Sequence, residues 1–157
     1  MIRRSVRLRP GWLVVVSAAV LAVSVWLPWL HTAVGGGGHA NAVGGAIGSL
    51  HLPERFGVGQ LIVLFASTLL VAGAMAGRGI SPLRASVAAL AISMCIAALT
   101  AWYYRLHVGH SVSASYGWYL GAVAAAVAIG CSLWALLDAV RAVRAVRASL
   151  RAGRRIR

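Results

Sequence analysis

Four long apolar runs restrict what this chain can fold into. They are 19 to 21 residues long, and apart from Arg84 they contain no charged residue and no histidine; they cover residues 11–30, 58–76, 83–102 and 117–137. A helix rises about 1.5 Å per residue, so each run can cross a hydrocarbon core of about 30 Å. Backbone amides in lipid must be satisfied internally, which favours helices. We therefore predict an all-α membrane protein, a four-helix up-down bundle that occupies the single domain 1–157.

The fifteen arginines are distributed unevenly between the two sides of the predicted bundle. Four precede the first run, Arg78 and Arg84 flank the short second connection, and seven lie in the tail 138–157, whereas loops 31–57 and 103–116 hold one each. Basic residues near helix ends stay cytoplasmic. We therefore predict a multi-pass plasma-membrane protein with both termini in the cytoplasm and the two longer loops outside.

The tail is predicted to be a basic amphipathic helix on the cytoplasmic side. No glycine or proline interrupts it before Gly153, and its three-residue AVR repeat places arginines and apolar side chains on neighbouring sectors of a helix. Asp138 can pair with an arginine one turn on. Because thirteen arginines are explained as topology signals, we expect no nucleic-acid partner. The predicted contacts with anionic inner-leaflet lipid are Arg141, Arg144, Arg147, Arg151, Arg154 and Arg155.

All five histidines lie in the two outer loops, at His31, His39, His51, His107 and His110. Histidine is the commonest metal ligand, and the spacing of His107 and His110 puts both on one helical face. His31 is expected at a similar depth, so the candidate metal ligands are His31, His107 and His110. A zinc or copper site needs three or four ligands, and Glu54 is the only outer carboxylate. The alternative is that these histidines simply occupy wet helix ends. The four consecutive glycines 35–38 predict a flexible segment in the first loop, and the periodicity of residues 41–52 leaves a short helix and a hairpin both open there.

Aromatic and small residues also follow a pattern. The aromatic residues near the outer helix ends predict a belt at the membrane interface; they are Trp26, Trp29, Trp102, Tyr103, Tyr104, Tyr116, Trp118 and Tyr119.

Glycines at four-residue spacing, Gly73 with Gly77 and Gly117 with Gly121, predict close helix packing, within the chain or between copies.

The residues that most enzymes and transporters need are scarce. The chain has two carboxylates, no lysine and no ionisable residue at mid-span, whereas catalysis needs titratable groups in a pocket and proton-coupled transport needs them at mid-membrane. We therefore expect no enzyme and no cofactor, and predict an accessory or scaffold subunit of a cell-envelope or transport assembly, with a membrane-protein partner or a second copy. The alternatives are an outer-face metal or pH sensor that uses the loop histidines, and a small oligomeric channel or transporter.

Two motifs carry a resemblance to known proteins. WLPWL occupies 26–30 and YGWYLG occupies 116–121, in a chain rich in alanine, valine and arginine without lysine. In architecture and composition the chain resembles the uncharacterised small four-span membrane proteins common in high-GC actinobacterial genomes. This resemblance implies a plasma-membrane location and no particular activity. Claudin-like proteins also have four spans and a tryptophan in the first outer loop, but their outer cysteine pair is absent here.

Overall fold

The structure, a computed structural model, describes residues 9–48, 57–109 and 112–154. These residues are mostly helical and form four helices, α1 (Pro10–Ser24), α2 (Val58–Arg78), α3 (Pro82–His107) and α4 (Tyr116–Arg154). The helices pack in a ring in chain order: α1 contacts α2 and α4, and α3 contacts the same two helices from the other side. Helices α2, α3 and α4 are long and apolar enough to cross a membrane. The described part of the chain is thus a four-helix bundle with three candidate membrane spans.

The first helix is shorter than the apolar run that predicts it. It ends at Ser24 and has 15 residues, which is about 22 Å of helix. Pro28 gives the physical reason, since proline has no N–H to donate to the carbonyl four residues earlier and its ring clashes there. The Ser24 carbonyl accepts a turn bond from the Leu27 N–H instead, at 3.1 Å. A helix throughout 11–30 is therefore a wrong prediction for residues 25–30.

A small antiparallel sheet lies at one end of the bundle, so the all-α prediction is also incomplete. Its strands are short and stand in the order β3-β2-β1-β4; they are β1 (Pro28–Thr32), β2 (Gly38–Asn41), β3 (Ala46–Gly48) and β4 (Ser113–Ala114). The first three strands come from the α1–α2 connection and the fourth from the α3–α4 connection. We call this the sheet end of the bundle. The opposite end, where Arg9, Arg78 and Arg84 lie, is the basic end.

The four-glycine run forms a defined reversal between β1 and β2. Gly35, Gly36 and Gly37 have φ angles of 67°, 93° and 82°, all in the left-handed region. Residues with a Cβ rarely adopt that conformation, and glycine adopts it without steric cost. The connection 33–37 therefore turns the chain tightly enough for Thr32 to pair with Gly38.

Helices α1 and α2 approach closely at the basic end because both carry glycine there. A Cβ on Gly11 would collide with the backbone of Gly77, and a Cβ on Gly77 would lie 3.1 Å from the indole nitrogen of Trp12. One turn earlier, a Cβ on Gly73 would lie 3.0 Å from a methyl carbon of Val14. The predicted close packing at Gly73 and Gly77 is confirmed, and the contact lies within one chain.

Candidate functional site

Trp29 is the residue around which the sheet end is packed. Its side chain is fully buried, its indole Nε1 donates a hydrogen bond of 2.7 Å to the Ser24 carbonyl, and its ring meets that of Tyr103 edge-on with centroids 5.1 Å apart. On the α4 side, a Cβ on Gly121 would lie only 2.8 Å from Trp29 Cζ2, and one on Gly117 would lie 2.6 Å from the Pro28 carbonyl oxygen. Trp29 thus joins the end of α1, strand β1, α3 and α4.

The predicted aromatic belt is only partly what the structure shows. Trp29 and Tyr103 are buried, with 0% and 2% of their surface exposed, so an interfacial role for these two is a wrong prediction. Their edge-to-face contact stabilises the core instead. The belt residues that point outward are 39% to 66% exposed; they are Trp26, Trp102, Tyr104, Tyr116 and Tyr119. These five retain the exposed, amphipathic position that an interface belt requires.

His107 continues the aromatic packing from the end of α3. Its ring stacks on Tyr103 with centroids 4.3 Å apart and an interplanar angle of 25°. Its Nδ1 lies 3.0 Å from the Tyr103 carbonyl oxygen, within the last turn of the helix. A proton on Nδ1 makes that bond a donated one, and it leaves Nε2 as the free ring nitrogen.

His31 and His39 face each other across strands β1 and β2. The register pairs them directly, and both side chains are exposed on the same face of the sheet. On the other side of β1, His31 is paired with Ser113 of β4, whose Oγ donates a 3.3 Å hydrogen bond to the His31 carbonyl. The sheet therefore brings together two imidazoles that are eight residues apart in sequence.

This pairing differs from the predicted metal ligand set. His110 lies outside the described residues, and among the residues that are described no three histidine, cysteine, aspartate or glutamate side chains are grouped closely enough to hold a metal together. The set of His31, His107 and His110 stays a prediction. The pairing of His31 with His39 was missed, although a glycine-rich stretch between two short runs is a known hairpin signal.

At the basic end, α4 continues well beyond the other helices. Ala142 still lines a cavity with Arg9 of the α1 terminus and Pro82 of α3, whereas residues 144–151 are exposed on all sides. From Ala142 to the end of α4 at Arg154 is about 18 Å of helix. The prediction that the tail continues α4 as a helix is confirmed.

The arginines of α4 near and within this extension have exposed side chains, and one of them forms an ion pair. Arg141 Nη1 lies 3.4 Å from Asp138 Oδ1, which confirms the predicted ion pair, and the two side chains are 72% and 47% exposed. Arg144, Arg147 and Arg151 are also exposed. Arg155 lies outside the described residues. Lipid contact by these arginines stays a prediction.

Two concave regions lie away from the histidines. A cavity of about 350 Å³ at the basic end is lined by residues of all four helices, including Arg9 and Asp138, and Arg9 Nη1 also donates a 3.3 Å bond to the Gly77 carbonyl. An apolar groove of about 360 Å³ runs between α1 and α4, past Val16 and Val123. In a bilayer, hydrocarbon chains would fill such a groove.

Comparisons with protein-family models, with curated proteins and with solved structures find no match for this chain. The described residues offer two surfaces with distinct chemistry. One is the basic extension of α4, and the other is the paired histidines of the sheet.

Proposed function

We propose that this chain is a non-enzymatic plasma-membrane protein that acts as an accessory or scaffold subunit of a cell-envelope or transport assembly. In this proposal the chain crosses the membrane four times, with the basic end in the cytoplasm and the sheet end outside. The observation that carries the proposal is the exposed extension of α4, in which an apolar seam lies beside an arginine face. The seam consists of Val143, Val146 and Leu150, and the face consists of Arg141, Arg144, Arg147 and Arg151. Such a helix presents a binding surface and no reactive group.

The packing of α1 supports a fourth span despite its length. Gly11, at its start, contacts Gly77 at the end of α2, and the Val25 carbonyl just past its end accepts a 3.1 Å bond from the Ala42 N–H. Ala42 in turn contacts Gly59 at the start of α2. Helix α1 and its turn therefore run along the whole length of α2. A short span of this kind is accommodated by local thinning of the bilayer.

The arginines support the proposed orientation. Arg9, Arg78, Arg84 and Arg141 all lie at the basic end, whereas Arg105, in the last turn of α3, lies at the sheet end. Positive residues at helix ends are retained in the cytoplasm. In the proposed orientation the aromatic belt and the sheet lie on the outer side.

The exposed surface of the α4 extension indicates the kind of partner. Val143, Val146 and Leu150 follow a three- and four-residue spacing, and the last two are 59% and 65% exposed. The arginines occupy the neighbouring sector. A parallel pairing with a second copy would bring arginine next to arginine, a like-charge contact that is destabilising. An acidic amphipathic segment of a membrane-protein partner would cover the seam and neutralise the arginines.

Site-specific photo-crosslinking in native membranes tests this proposal. A photoreactive residue at Val146 or Leu150 is expected to give one discrete protein adduct, identified by mass spectrometry as the same partner from both positions. Ala145 is the matched control, because it lies about 100° or more around the helix from the seam and is exposed.

Three outcomes would contradict the proposal. Adducts from Ala145 as strong as those from Val146 would mean that the contacts are random collisions. Adducts only with lipid would mean that the extension binds the membrane surface and no subunit. Adducts only with a second copy of the chain would replace the accessory role with self-assembly, as an oligomeric channel requires.

A further inference from the structure

We propose that His31 and His39 form a binding site for one transition-metal ion, Cu²⁺ or Zn²⁺, on the exposed face of the outer sheet. The proposal is independent of the accessory role, because it rests only on the register of β1 and β2. It replaces the three-histidine site that the sequence predicts with a two-histidine site whose ligands come from adjacent strands.

The backbone hydrogen bonds show that His31 and His39 form a non-hydrogen-bonded pair, which is the type of pair in which the two Cα atoms are closer. In antiparallel sheets, directly opposed residues alternate between hydrogen-bonded pairs and non-hydrogen-bonded pairs, and the latter have Cα atoms about 4.5 Å apart. The Trp29 carbonyl accepts a 2.8 Å bond from the Ser115 N–H, so the backbone of Trp29 is directed toward β4. The β1–β2 register shifts at Trp29, but the β1–β4 register continues without a shift through His31 and Ser113, so the backbone of His31 is also directed toward β4. His31 therefore makes no ladder bond to β2, and its side chain lies close to that of His39.

The backbone hydrogen bonds of β2 lead independently to the same conclusion about the pair. The Asn41 N–H donates a 2.8 Å bond to the Gly45 carbonyl, so the backbone of Asn41, and of His39 two residues earlier, is directed toward β3. Both histidines of the pair thus direct their backbone groups away from each other. This is the geometry of a non-hydrogen-bonded pair.

The distance suits a shared metal ion. Histidine nitrogens bind zinc at about 2.0–2.1 Å, so two of them on one ion stand roughly 3 Å apart. Imidazoles that branch from β-carbons about 4.5–5.5 Å apart reach that separation by rotating their side chains. Neither ring has a hydrogen-bond partner that it would have to give up among the contacts of the described residues.

The ligand chemistry selects the class of metal. Imidazole suits copper and zinc, whereas magnesium and calcium require oxygen ligands. Asp138 is the only carboxylate among the residues that the structure describes, and it lies on α4 at the basic end. Two protein ligands leave the remaining coordination positions to water, and the usual order of affinities puts Cu²⁺ above Zn²⁺. Bound metal would connect β1 to β2 across the glycine turn.

Metal titration of the intact chain tests the proposal. The purified full-length protein, in detergent and without an affinity tag, is titrated with Cu²⁺ and followed by electron paramagnetic resonance, and Zn²⁺ is then added as a competitor. We expect one Cu²⁺ per chain, a spectrum of two coordinated imidazole nitrogens, and displacement by excess Zn²⁺. His31→Gln and His39→Gln should each lower the affinity by about tenfold or more, because one imidazole remains.

His107→Gln is the matched control, since His107 is a sheet-end histidine that packs on Tyr103 and lies outside the pair. It should bind Cu²⁺ with unchanged affinity and stoichiometry. A loss of affinity in His107→Gln that is absent in His39→Gln would support the three-histidine set and overturn the proposal. Undiminished binding by the His31→Gln/His39→Gln double variant, or no binding by the unmodified protein, would also overturn it. Circular dichroism checks that each variant keeps its helical signal, which we expect because both side chains are exposed.

Discussion

The indole Nε1 of Trp29 donates a 2.7 Å hydrogen bond to the backbone oxygen of Ser24, the last residue of α1. Ser24 is the residue whose carbonyl Pro28 cannot bond in a helix, because proline has no N–H. One residue after the proline, Trp29 supplies a donor from its side chain. The WLPWL motif therefore ends the helix, satisfies its carbonyl and buries an indole in one short segment.

Replacing Trp29 by phenylalanine should destabilise the fold. The change removes the donor to Ser24 and leaves space beside Tyr103, so we expect a loss of about 1–3 kcal/mol in the free energy of unfolding. Denaturant unfolding in micelles measures it. Trp26→Phe is the control, since Trp26 is 66% exposed and should change stability by less than about 0.5 kcal/mol. Equal effects of the two substitutions would contradict the packing role of Trp29.

Replacing either of two glycines of α4 by alanine should change the stability of the fold, in opposite directions for the two positions. A Cβ on Gly121 would lie 2.8 Å from Trp29 Cζ2, whereas a Cβ on Gly130 meets nothing within 4 Å. Gly121→Ala should therefore lower stability by about 1–3 kcal/mol through overpacking. Gly130→Ala should raise it by up to about 1 kcal/mol, because alanine favours the helix. Thermal unfolding of both variants under one set of conditions compares them. A stabilised Gly121→Ala variant would show that α4 does not pack on Trp29 as described.

The proposed orientation predicts which single cysteines a membrane-impermeant maleimide reaches in intact cells. In a chain with Cys95 and Cys131 replaced by serine, Ser113→Cys at the sheet end should be labelled from outside. Ala145→Cys at the basic end should be labelled only after the cells are lysed. Mass shift on a gel measures both. The reverse pattern would invert the topology, and labelling of both positions in intact cells would contradict a membrane-spanning arrangement.

The arginine face should hold the α4 extension near anionic lipid. With a fluorophore on an Ala148→Cys variant in nanodiscs, quenching by headgroup-labelled lipid should be stronger in anionic than in neutral bilayers. Each arginine contributes about 1 kcal/mol near the surface, so glutamine at Arg144, Arg147 and Arg151 should weaken the surface association by up to about a hundredfold. Raising the salt concentration should also weaken the surface association, because salt screens the charges. Quenching that is the same in both bilayers would contradict the predicted lipid contacts.

Most of the helical architecture is predictable from the sequence because lipid restricts the alternatives. The apolar runs 58–76 and 83–102 match α2 and α3 with small extensions at their ends, and the fourth run continues into the tail as α4. In each case a long apolar stretch without proline, and without charge except for Arg84 near the start of α3, leaves a helix as the way to satisfy the backbone in lipid. The first run has the same composition, but Pro28 within it ends the helix.

The strands of the sheet end and their register could not be predicted from the sequence in the same way. Its strands are two to five residues long, too short for an alternating pattern to stand out. The pairing of His31 with His39 depends on a register that the left-handed turn at Gly35 to Gly37 sets, and composition does not encode a register. The burial of Trp29 likewise depends on contacts from α3 and α4, which are distant in sequence.

Strand β4 ends at Ala114, and α4 begins at Tyr116, so a single residue separates the sheet from the longest helix. Because β4 pairs with β1, the histidine pair is mechanically connected to α4, which has no proline along its 39 residues. A tilt imposed at the sheet end would therefore tilt the rest of α4 with it. In the proposed orientation, a displacement of the sheet would therefore move the seam of Val146 and Leu150 on the opposite side of the bilayer.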